Sequence, residues 1–213
     1  MFDPIHNGHV AAGLAAQRAL RLDEIVLIPS SQPPHRPAQP VASAEDRLAM
    51  ARIAAGSQKS WAVSEVEITR AGTSYTFDTL TDLVKMKQVP FPPFFILGAD
   101  AFAEIDTWSR FPQVLDLAHF VVIARPGKSL AELGNKLPSL SARLTTAERF
   151  RPDAAREGTA IILIEATTPP VSSTEIRRRI LSGDSIGGLV PPGVDSYIRD
   201  HRLYLAPTAG AGR

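Results

Sequence analysis

The first ten residues, MFDPIHNGHV, place two histidines three positions apart with a glycine between them. The Ala- and Leu-rich pattern from His9 to Leu20 predicts a helix that begins at this point. The start of a helix presents free N–H groups and the positive end of the helix dipole, and both favour an anion. A glycine at this position lets a ligand approach the backbone closely. The segment therefore predicts a local anion site formed by His6, Gly8 and His9.

Metal binding is the weaker interpretation of these two histidines. Side chains at i and i+3 can both ligate a metal, but the chain contains no cysteine and offers no convincing third ligand nearby. Asp3 stands before Pro4, and this pair of residues predicts a turn. We therefore predict no metal site built from protein side chains.

A second segment with anion-binding chemistry, TPPVSSTEIRRRI, lies far downstream. Ser172 and Glu175 have the spacing of a capping box, which predicts that a helix begins here. The first turn would then hold Ser173, Thr174 and Arg177. Hydroxyl groups, free backbone N–H groups and a guanidinium together suit a phosphate. The two arginines that follow are typical of a solvated helix face.

Apolar runs of strand length alternate with helical patterns along the chain. The predicted strands are residues 24–30, 61–68, 94–100, 119–125 and 160–166. The predicted helices are residues 9–20, 44–55, 75–88 and 111–118, with Ser43 and Asp46 as a capping pair before the second. Such alternation predicts an α/β fold, a Rossmann-like doubly wound parallel sheet. We expect a single domain over residues 1–204 and a disordered tail over residues 205–213.

Composition and charge limit the function classes. A formal net charge of +1 gives no overall field that would attract nucleic acid or an anionic membrane. No apolar run approaches the roughly 20 residues of a membrane-spanning helix, and the first residues do not have the pattern of a signal peptide. The lack of cysteine fits a reducing compartment. We therefore expect a cytoplasmic protein without nucleic-acid or membrane partners.

The pairing of FDPIHNGH with a distant SSTEIRRRI resembles the nucleotidyltransferase superfamily, whose members carry an H-x-G-H motif. Five further segments extend the resemblance over almost the whole chain, to the bacterial nicotinate-nucleotide adenylyltransferase family. These segments are SQPPHRP, GTSYTFDTL, LGAD, DTW and ARPG. The H-x-G-H motif alone is moderately specific for the superfamily, whereas the ordered set is highly specific for this branch.

The resemblance implies transfer of the adenylyl group of ATP to the 5′-phosphate of nicotinate mononucleotide, which gives deamido-NAD and pyrophosphate. The nucleophile is already an anion, so catalysis reduces to positioning and charge neutralisation. The implied catalytic residues are His6, His9 and Arg177, and a bound phosphate would favour protonated imidazoles. The implied ligands of the ATP phosphates are Ser172, Ser173 and Thr174. Mg²⁺ would be held mainly by these phosphates.

The resemblance also implies contacts made by the middle of the chain. Asp100 would bind a ribose hydroxyl of ATP, and Gly98 would allow close approach at the end of a strand. Trp108 would stack on the pyridine ring. Backbone N–H groups of Tyr75 and Thr76 would bind the nicotinate carboxylate and favour the acid over the amide. His35 and Arg36, in a Pro-rich loop, would close over the substrate.

The chain departs from the family pattern at its start. Family members have a short apolar strand that ends in Gly-Gly-Ser/Thr before Phe-Asp-Pro, whereas Met1 takes the Ser/Thr position here. That strand is central in a doubly wound sheet, so its loss would leave two strands without a partner. We therefore expect that the first central strand is missing and that this start lies downstream of the native one, or that the chain is a fragment.

Three other functions compete with this interpretation. One is another small-molecule nucleotidyltransferase, such as a pantetheine-phosphate adenylyltransferase or a cytidylyltransferase, although these lack the GTSYT and DTW combination. A second is a catalytically impaired nucleotide-binding module, because of the missing strand. A third is nucleic-acid binding, which finds no basic patch in the sequence. The oligomeric state, including a homo-oligomer, stays open.

Overall fold

The computed structural model describes residues 2–32, 41–70, 72–124, 138–151 and 158–205. Two of the sequence predictions lie outside these residues. They are the substrate contacts of His35 and Arg36, and the tail after Leu205.

Six α-helices and six strands form from the described residues. The helices are α1 (Asn7–Leu20), α2 (Ala44–Gly56), α3 (Thr76–Lys85), α4 (Ala99–Phe102), α5 (Ser173–Leu181) and α6 (Pro192–Asp200). The strands are β1 (Ile25–Leu27), β2 (Trp61–Val63), β3 (Phe94–Gly98), β4 (His119–Ala124), β5 (Leu144–Thr146) and β6 (Ile161–Glu165). Short 3-10 helices span Ile105–Thr107, Gln113–Asp116 and Pro138–Arg143. None of the helices within the described ranges is long and apolar enough to cross a bilayer.

The chain divides into two compact units. The first comprises Met1–Val10, Val26–Gly72 and Pro169–Arg213, and the second comprises Ala11–Ile25 and Thr73–Thr168. The first unit contains α2, α5 and α6 together with both histidines of the first motif. The second contains α3, α4 and the larger sheet.

The strands confirm the predicted α/β class with parallel pairing. The four-stranded sheet has the order β3-β4-β6-β5, and its three strand pairs are all parallel. A separate two-stranded sheet pairs β1 with β2. In the described part of the chain, β1 and β3 therefore each have one hydrogen-bonded neighbour.

The apolar strands β4 and β6 are buried on both faces, which explains why they read as continuous apolar runs. Alternate side chains point to opposite faces of a strand. Phe120, Val122 and Leu163 accordingly join one core cluster with the residues around Phe102. The residues between them join a second cluster, which includes Val121, Ile123, Ile162, Ile164 and Ala16 of α1. The second unit thus has a layer of core on each side of the sheet.

Local signals in the sequence predicted the start of α2 correctly. Ser43 Oγ accepts a hydrogen bond from the Asp46 N–H at 3.0 Å and donates one to Asp46 Oδ2 at 2.7 Å. This reciprocal pair satisfies an N–H that the helix itself leaves without a partner.

Three predicted elements are much shorter than the sequence pattern indicated, and the strand predicted over residues 24–30 is only Ile25–Leu27. The strand predicted over residues 61–68 ends at Val63, because its neighbour β1 has only three residues to pair with it. The helix predicted over residues 111–118 is only the 3-10 helix Gln113–Asp116. Pro112 precedes this segment and β4 begins at His119, so the connection has no room for a longer helix. The strand β5 was not predicted from the sequence.

Candidate active site

The two histidines of the first motif lie face to face at the start of α1. Their ring centroids are 3.7 Å apart and the ring planes differ by 22°. The His6 N–H donates to His9 Nδ1 at 3.3 Å, and the His9 N–H donates to His6 Nδ1 at 3.4 Å. Because both Nδ1 atoms accept, each neutral ring carries its proton on Nε2. This assignment of tautomers gives two Nε2–H donors at the helix start.

Burial determines the charge of His6. Only 7% of the residue is exposed, and this burial lowers the pKa of His6 to about 4. The ring is therefore neutral at pH 7 in the protein alone. The protonated form expected from the sequence would need the charge of a bound phosphate to overcome the desolvation.

Gly8 is packed closely against the His6 ring. A Cβ atom at position 8 would lie 3.0 Å from His6 Nδ1 and 3.2 Å from Val171 Cγ1. A side chain here would push against the imidazole and against the segment before α5 at the same time. From the sequence, Gly8 was expected to let a ligand approach the backbone. The structure shows that it also makes room for the His6 ring.

The second motif joins the first through two hydrogen bonds to main-chain oxygens. Ser173 Oγ donates to the carbonyl of Pro4 at 3.0 Å. Arg177 Nη1 donates to the carbonyl of Asp3 at 2.6 Å. The first turn of α5 is therefore attached to the chain just before the histidines, and the two predicted anion-binding segments meet in the first unit.

The start of α5 is capped on one side only. Ser172 Oγ accepts from the Glu175 N–H at 3.2 Å, as the capping box predicts. The Glu175 carboxylate, however, accepts from Arg178 and Arg179 at 2.8 and 2.9 Å rather than turning back to Ser172. The hydrogen bond from Arg178 is the main cause that lowers the pKa of Glu175 to about 2. These arginines form the exposed basic face that the sequence predicted.

Thr174 and Arg177 are the members of this motif whose side chains are best placed to bind a phosphate. Thr174 is exposed, and its Oγ1 accepts from Arg177 Nη2 at 3.4 Å, so its own O–H can donate outward. The Arg177 side chain is 19% exposed. Its five donors exceed the two contacts described, so donors remain for a phosphate.

A buried polar cluster that was not predicted from the sequence includes Asp3, Arg47 and Tyr204. Asp3 is 1% exposed and accepts hydrogen bonds from the Val41 and Ala42 N–H groups and from the Tyr204 hydroxyl. Arg47 is also 1% exposed and donates to the carbonyls of Ser30, Ser31 and Ala42. Burial lowers the pKa of Arg47, and the nearby Asp3 carboxylate opposes this shift. An arginine among the apolar residues RLAMARIAA of α2 was the available signal.

The remaining predicted residues within the described ranges lie in the second unit. Gly98 ends β3 and is followed by the exposed Asp100 in the first turn of α4. The backbone φ of Gly98 is −77°, and no atom lies within 4 Å of the place where a Cβ would stand. Nothing within the described residues therefore requires a glycine at position 98.

The pyridine-binding residues predicted from the resemblance lie on two neighbouring segments of this unit. Tyr75 and Thr76 begin α3. Trp108 is half-buried and contacts Phe95 edge to face, with centroids 6.0 Å apart. The Arg110 guanidinium lies 4.8 Å from the ring centroid of Phe77. This contact joins the segment that carries Trp108 to the start of α3.

Comparison with known proteins places the chain in a family. A family model described as "Cytidylyltransferase-like" matches residues 1–179. A Desulfatibacillum aliphaticivorans protein named "Probable nicotinate-nucleotide adenylyltransferase" is 40% identical, with 96% of each chain covered. A protein of the same name from Corynebacterium jeikeium strain K411 is 37% identical, with 96% of this chain and 97% of the relative covered.

Among solved structures, a similar fold occurs in the Plasmodium falciparum nicotinic acid mononucleotide adenylyltransferase complexed with APC. The TM-score is 0.67 at 18% identity, and the match covers 95% of this chain and 92% of that one. The same enzyme complexed with NaAD gives a TM-score of 0.66. At this identity the likeness concerns the fold.

Proposed function

This chain belongs to the cytidylyltransferase-like family, among the nicotinate-nucleotide adenylyltransferases, and we propose that it adenylylates nicotinate mononucleotide. In this reaction, an oxygen of the mononucleotide 5′-phosphate attacks the α-phosphorus of ATP. The bond between the α-phosphorus and its bridging oxygen to the β-phosphate breaks. Pyrophosphate leaves and deamido-NAD forms, so the atoms and charges balance without a redox step.

The observation that carries this proposal is the junction of the two motifs in the first unit. Arg177 donates to the carbonyl of Asp3 and Ser173 donates to the carbonyl of Pro4, next to the stacked rings of His6 and His9. The two imidazoles belong to residues 3–9, and the Arg177 guanidinium and the start of α5 are hydrogen-bonded to the same segment. This set of groups supports a site for a polyphosphate.

The roles of the residues follow from their protonation states. His6 and His9 donate from Nε2 to phosphate oxygens, which they can do while neutral. Arg177 supplies a permanent positive charge, and Ser172 and Thr174 supply hydroxyl donors. Ser173 supplies its backbone N–H, because its hydroxyl already donates to the Pro4 carbonyl. Because the nucleophile is a phosphate anion, none of these groups has to remove a proton from it. Their contribution is to orient the triphosphate and to stabilise the charge that develops on pyrophosphate.

Mg²⁺ fits this proposal as an ion held by the phosphates of ATP. Within the described residues, no group of three or more His, Asp or Glu side chains is placed to hold a metal. The carboxylate of Asp3, close to the histidines in sequence, accepts hydrogen bonds from three neutral donors in the protein. When bound, the ion would neutralise phosphate charge and favour departure of pyrophosphate.

The second substrate would use residues of the second unit. We assign the pyridine ring to Trp108 and the nicotinate carboxylate to the backbone of Tyr75 and Thr76. We assign the ATP ribose to Gly98 and Asp100, since the space beside Gly98 is open in the protein. His35 and Arg36 would contact substrate from the Pro-rich loop.

We further propose that residues 1–204 act as one nucleotidyltransferase domain and that the enzyme works in the cytoplasm. The family match over residues 1–179 supports the first statement. The absence of cysteine is in keeping with a reducing compartment.

A direct assay tests the proposed function. Purified protein is incubated with ATP, Mg²⁺ and either nicotinate or nicotinamide mononucleotide, and pyrophosphate release is followed. We expect turnover with the acid and much slower turnover with the amide. Release with neither mononucleotide would refute the enzymatic role and favour a nucleotide-binding module. Preference for the amide would refute the assignment of the substrate.

A further inference from the structure

Tyr204 has a conformation that needs an explanation. The residue follows α6, is 6% exposed and has a backbone φ of 63°. Bulky residues rarely adopt this left-handed region, because it brings Cβ too close to the backbone. Tyr204 nevertheless adopts this backbone conformation, and its hydroxyl donates to Asp3 Oδ1 at 2.9 Å. Burial raises the pKa of Tyr204, so the hydroxyl stays protonated and remains a donor.

The Tyr204 hydroxyl completes the hydrogen bonding of a buried carboxylate. Asp3 Oδ1 also accepts from the Ala42 N–H at 3.1 Å, and Oδ2 accepts from the Val41 N–H at 2.9 Å. Three neutral donors therefore stabilise the negative charge of Asp3.

Arg177 is held by Asp3 mainly through the main chain. Its Nη1 is 2.6 Å from the Asp3 carbonyl oxygen but 3.7 Å from carboxylate Oδ2. A charge-assisted hydrogen bond between these groups would be about 2.8 Å long. The guanidinium thus stays nearly 1 Å short of a full ion pair with the carboxylate beside it.

We propose that Tyr204 is a positioning residue for Arg177. By satisfying Asp3, its hydroxyl keeps the carboxylate from drawing the guanidinium into a full ion pair, so the Arg177 charge remains available to the phosphates of ATP. The inference rests on the proposed function, because it concerns the ATP side of the same site. It assigns a role in ATP binding to a residue behind the site that need not touch the nucleotide.

The test compares two tyrosines that both donate to an aspartate in the first unit. Tyr204→Phe removes the hydroxyl next to Asp3, and Tyr197→Phe removes the one that donates to Asp46 Oδ1 at 3.0 Å. ATP binding is measured by calorimetry without the mononucleotide. We expect the Kd for ATP to rise about tenfold in Tyr204→Phe, the scale of a charge-assisted hydrogen bond. Tyr197→Phe should leave it unchanged.

A double-mutant cycle separates this role from general destabilisation. In an Arg177→Ala background, Tyr204→Phe should cause no further loss of ATP affinity, because the group it positions is gone. An undiminished effect in that background, or wild-type affinity in Tyr204→Phe alone, would overturn the proposal. Should Tyr204→Phe not fold, Tyr204→His replaces it, because histidine tolerates a positive φ and its ring is too short to reach Asp3.

The same measurements distinguish failure of this inference from failure of the proposed function. ATP binding that responds as described, without turnover of nicotinate mononucleotide, would refute the reaction and retain the role of Tyr204. Normal turnover with an unaltered Kd in Tyr204→Phe would retain the reaction and refute the role.

Discussion

Arg177 and Asp3 are 174 positions apart in the chain, yet the guanidinium of one donates to the main-chain oxygen of the other at 2.6 Å. This hydrogen bond fixes α5 against the segment that leads into the histidines. Because Nη1 is occupied by a carbonyl, the binding of a phosphate falls to the other donors of the same side chain. The contact therefore has a structural consequence and a functional one, and substitutions can separate them.

Arg177→Ala should reduce both catalysis and stability. We expect kcat/KM to fall roughly 100-fold, the scale for losing one charged donor at a phosphate. Loss of the bond to Asp3 should lower the free energy of unfolding by about 1 to 3 kcal/mol. The matched control is Arg178→Ala, since Arg178 is an exposed neighbour that pairs with Glu175. Steady-state kinetics and urea unfolding on both variants give the comparison, and equal losses of activity would contradict the assignment.

Gly8→Ala should disturb the histidines without unfolding the protein. The new methyl group would lie 3.0 Å from His6 Nδ1, so the ring has to move. We expect kcat to fall about tenfold, because the required shift is smaller than the ~1 Å displacement that costs about 100-fold. Gly56→Ala is the control, since nothing lies within 4 Å of a Cβ there and alanine favours a helix. Full activity of Gly8→Ala would show that the position of His6 does not matter.

His9→Ala should lower kcat roughly 10²- to 10³-fold, which is the effect of removing one preorganised donor. Alanine suits the first turn of α1, so circular dichroism and the melting temperature should change little. His201→Ala serves as the control, because His201 also stacks on a ring, that of Tyr197, but lies outside the proposed site. A near-normal rate in His9→Ala would remove His9 from the chemistry.

His6 should make the stability of the protein without ATP depend on pH. Its pKa is about 4 in the folded chain and near 6.5 when unfolded, so the unfolded state binds the proton more readily. The contribution is complete above pH 6.5 and is lost as the pH falls toward 4. Between pH 7 and pH 5 we expect a loss of about 2 kcal/mol from this residue.

Urea unfolding of the wild type and of His6→Gln at these two pH values isolates the His6 contribution. The wild type should lose more stability on acidification than the variant does. Parallel losses in the two proteins would mean that burial does not suppress protonation of His6.

Much of this architecture could be predicted from the sequence because it is encoded locally. The apolar runs of β4 and β6, the Ser43 cap of α2 and the Ser172 cap of α5 are each recognisable within a few residues. The lengths of β2 and of the segment before β4 could not be predicted from the sequence. They depend on a neighbouring strand and on the space between elements. Period and capping determine that an element exists, whereas packing determines where it ends.

By itself, the sequence determined the chemistry of the site, through two segments with phosphate-binding groups and a helix start at each. Only the tertiary structure joined them, by the bonds of Arg177 and Ser173 to the main chain at Asp3 and Pro4. It also revealed the buried group of Asp3, Arg47 and Tyr204, of which only Arg47, among the apolar residues of α2, has a signal in the sequence. A buried charge is stable only with partners, and here these come from distant parts of the chain. Such partners become visible only once the chain is folded.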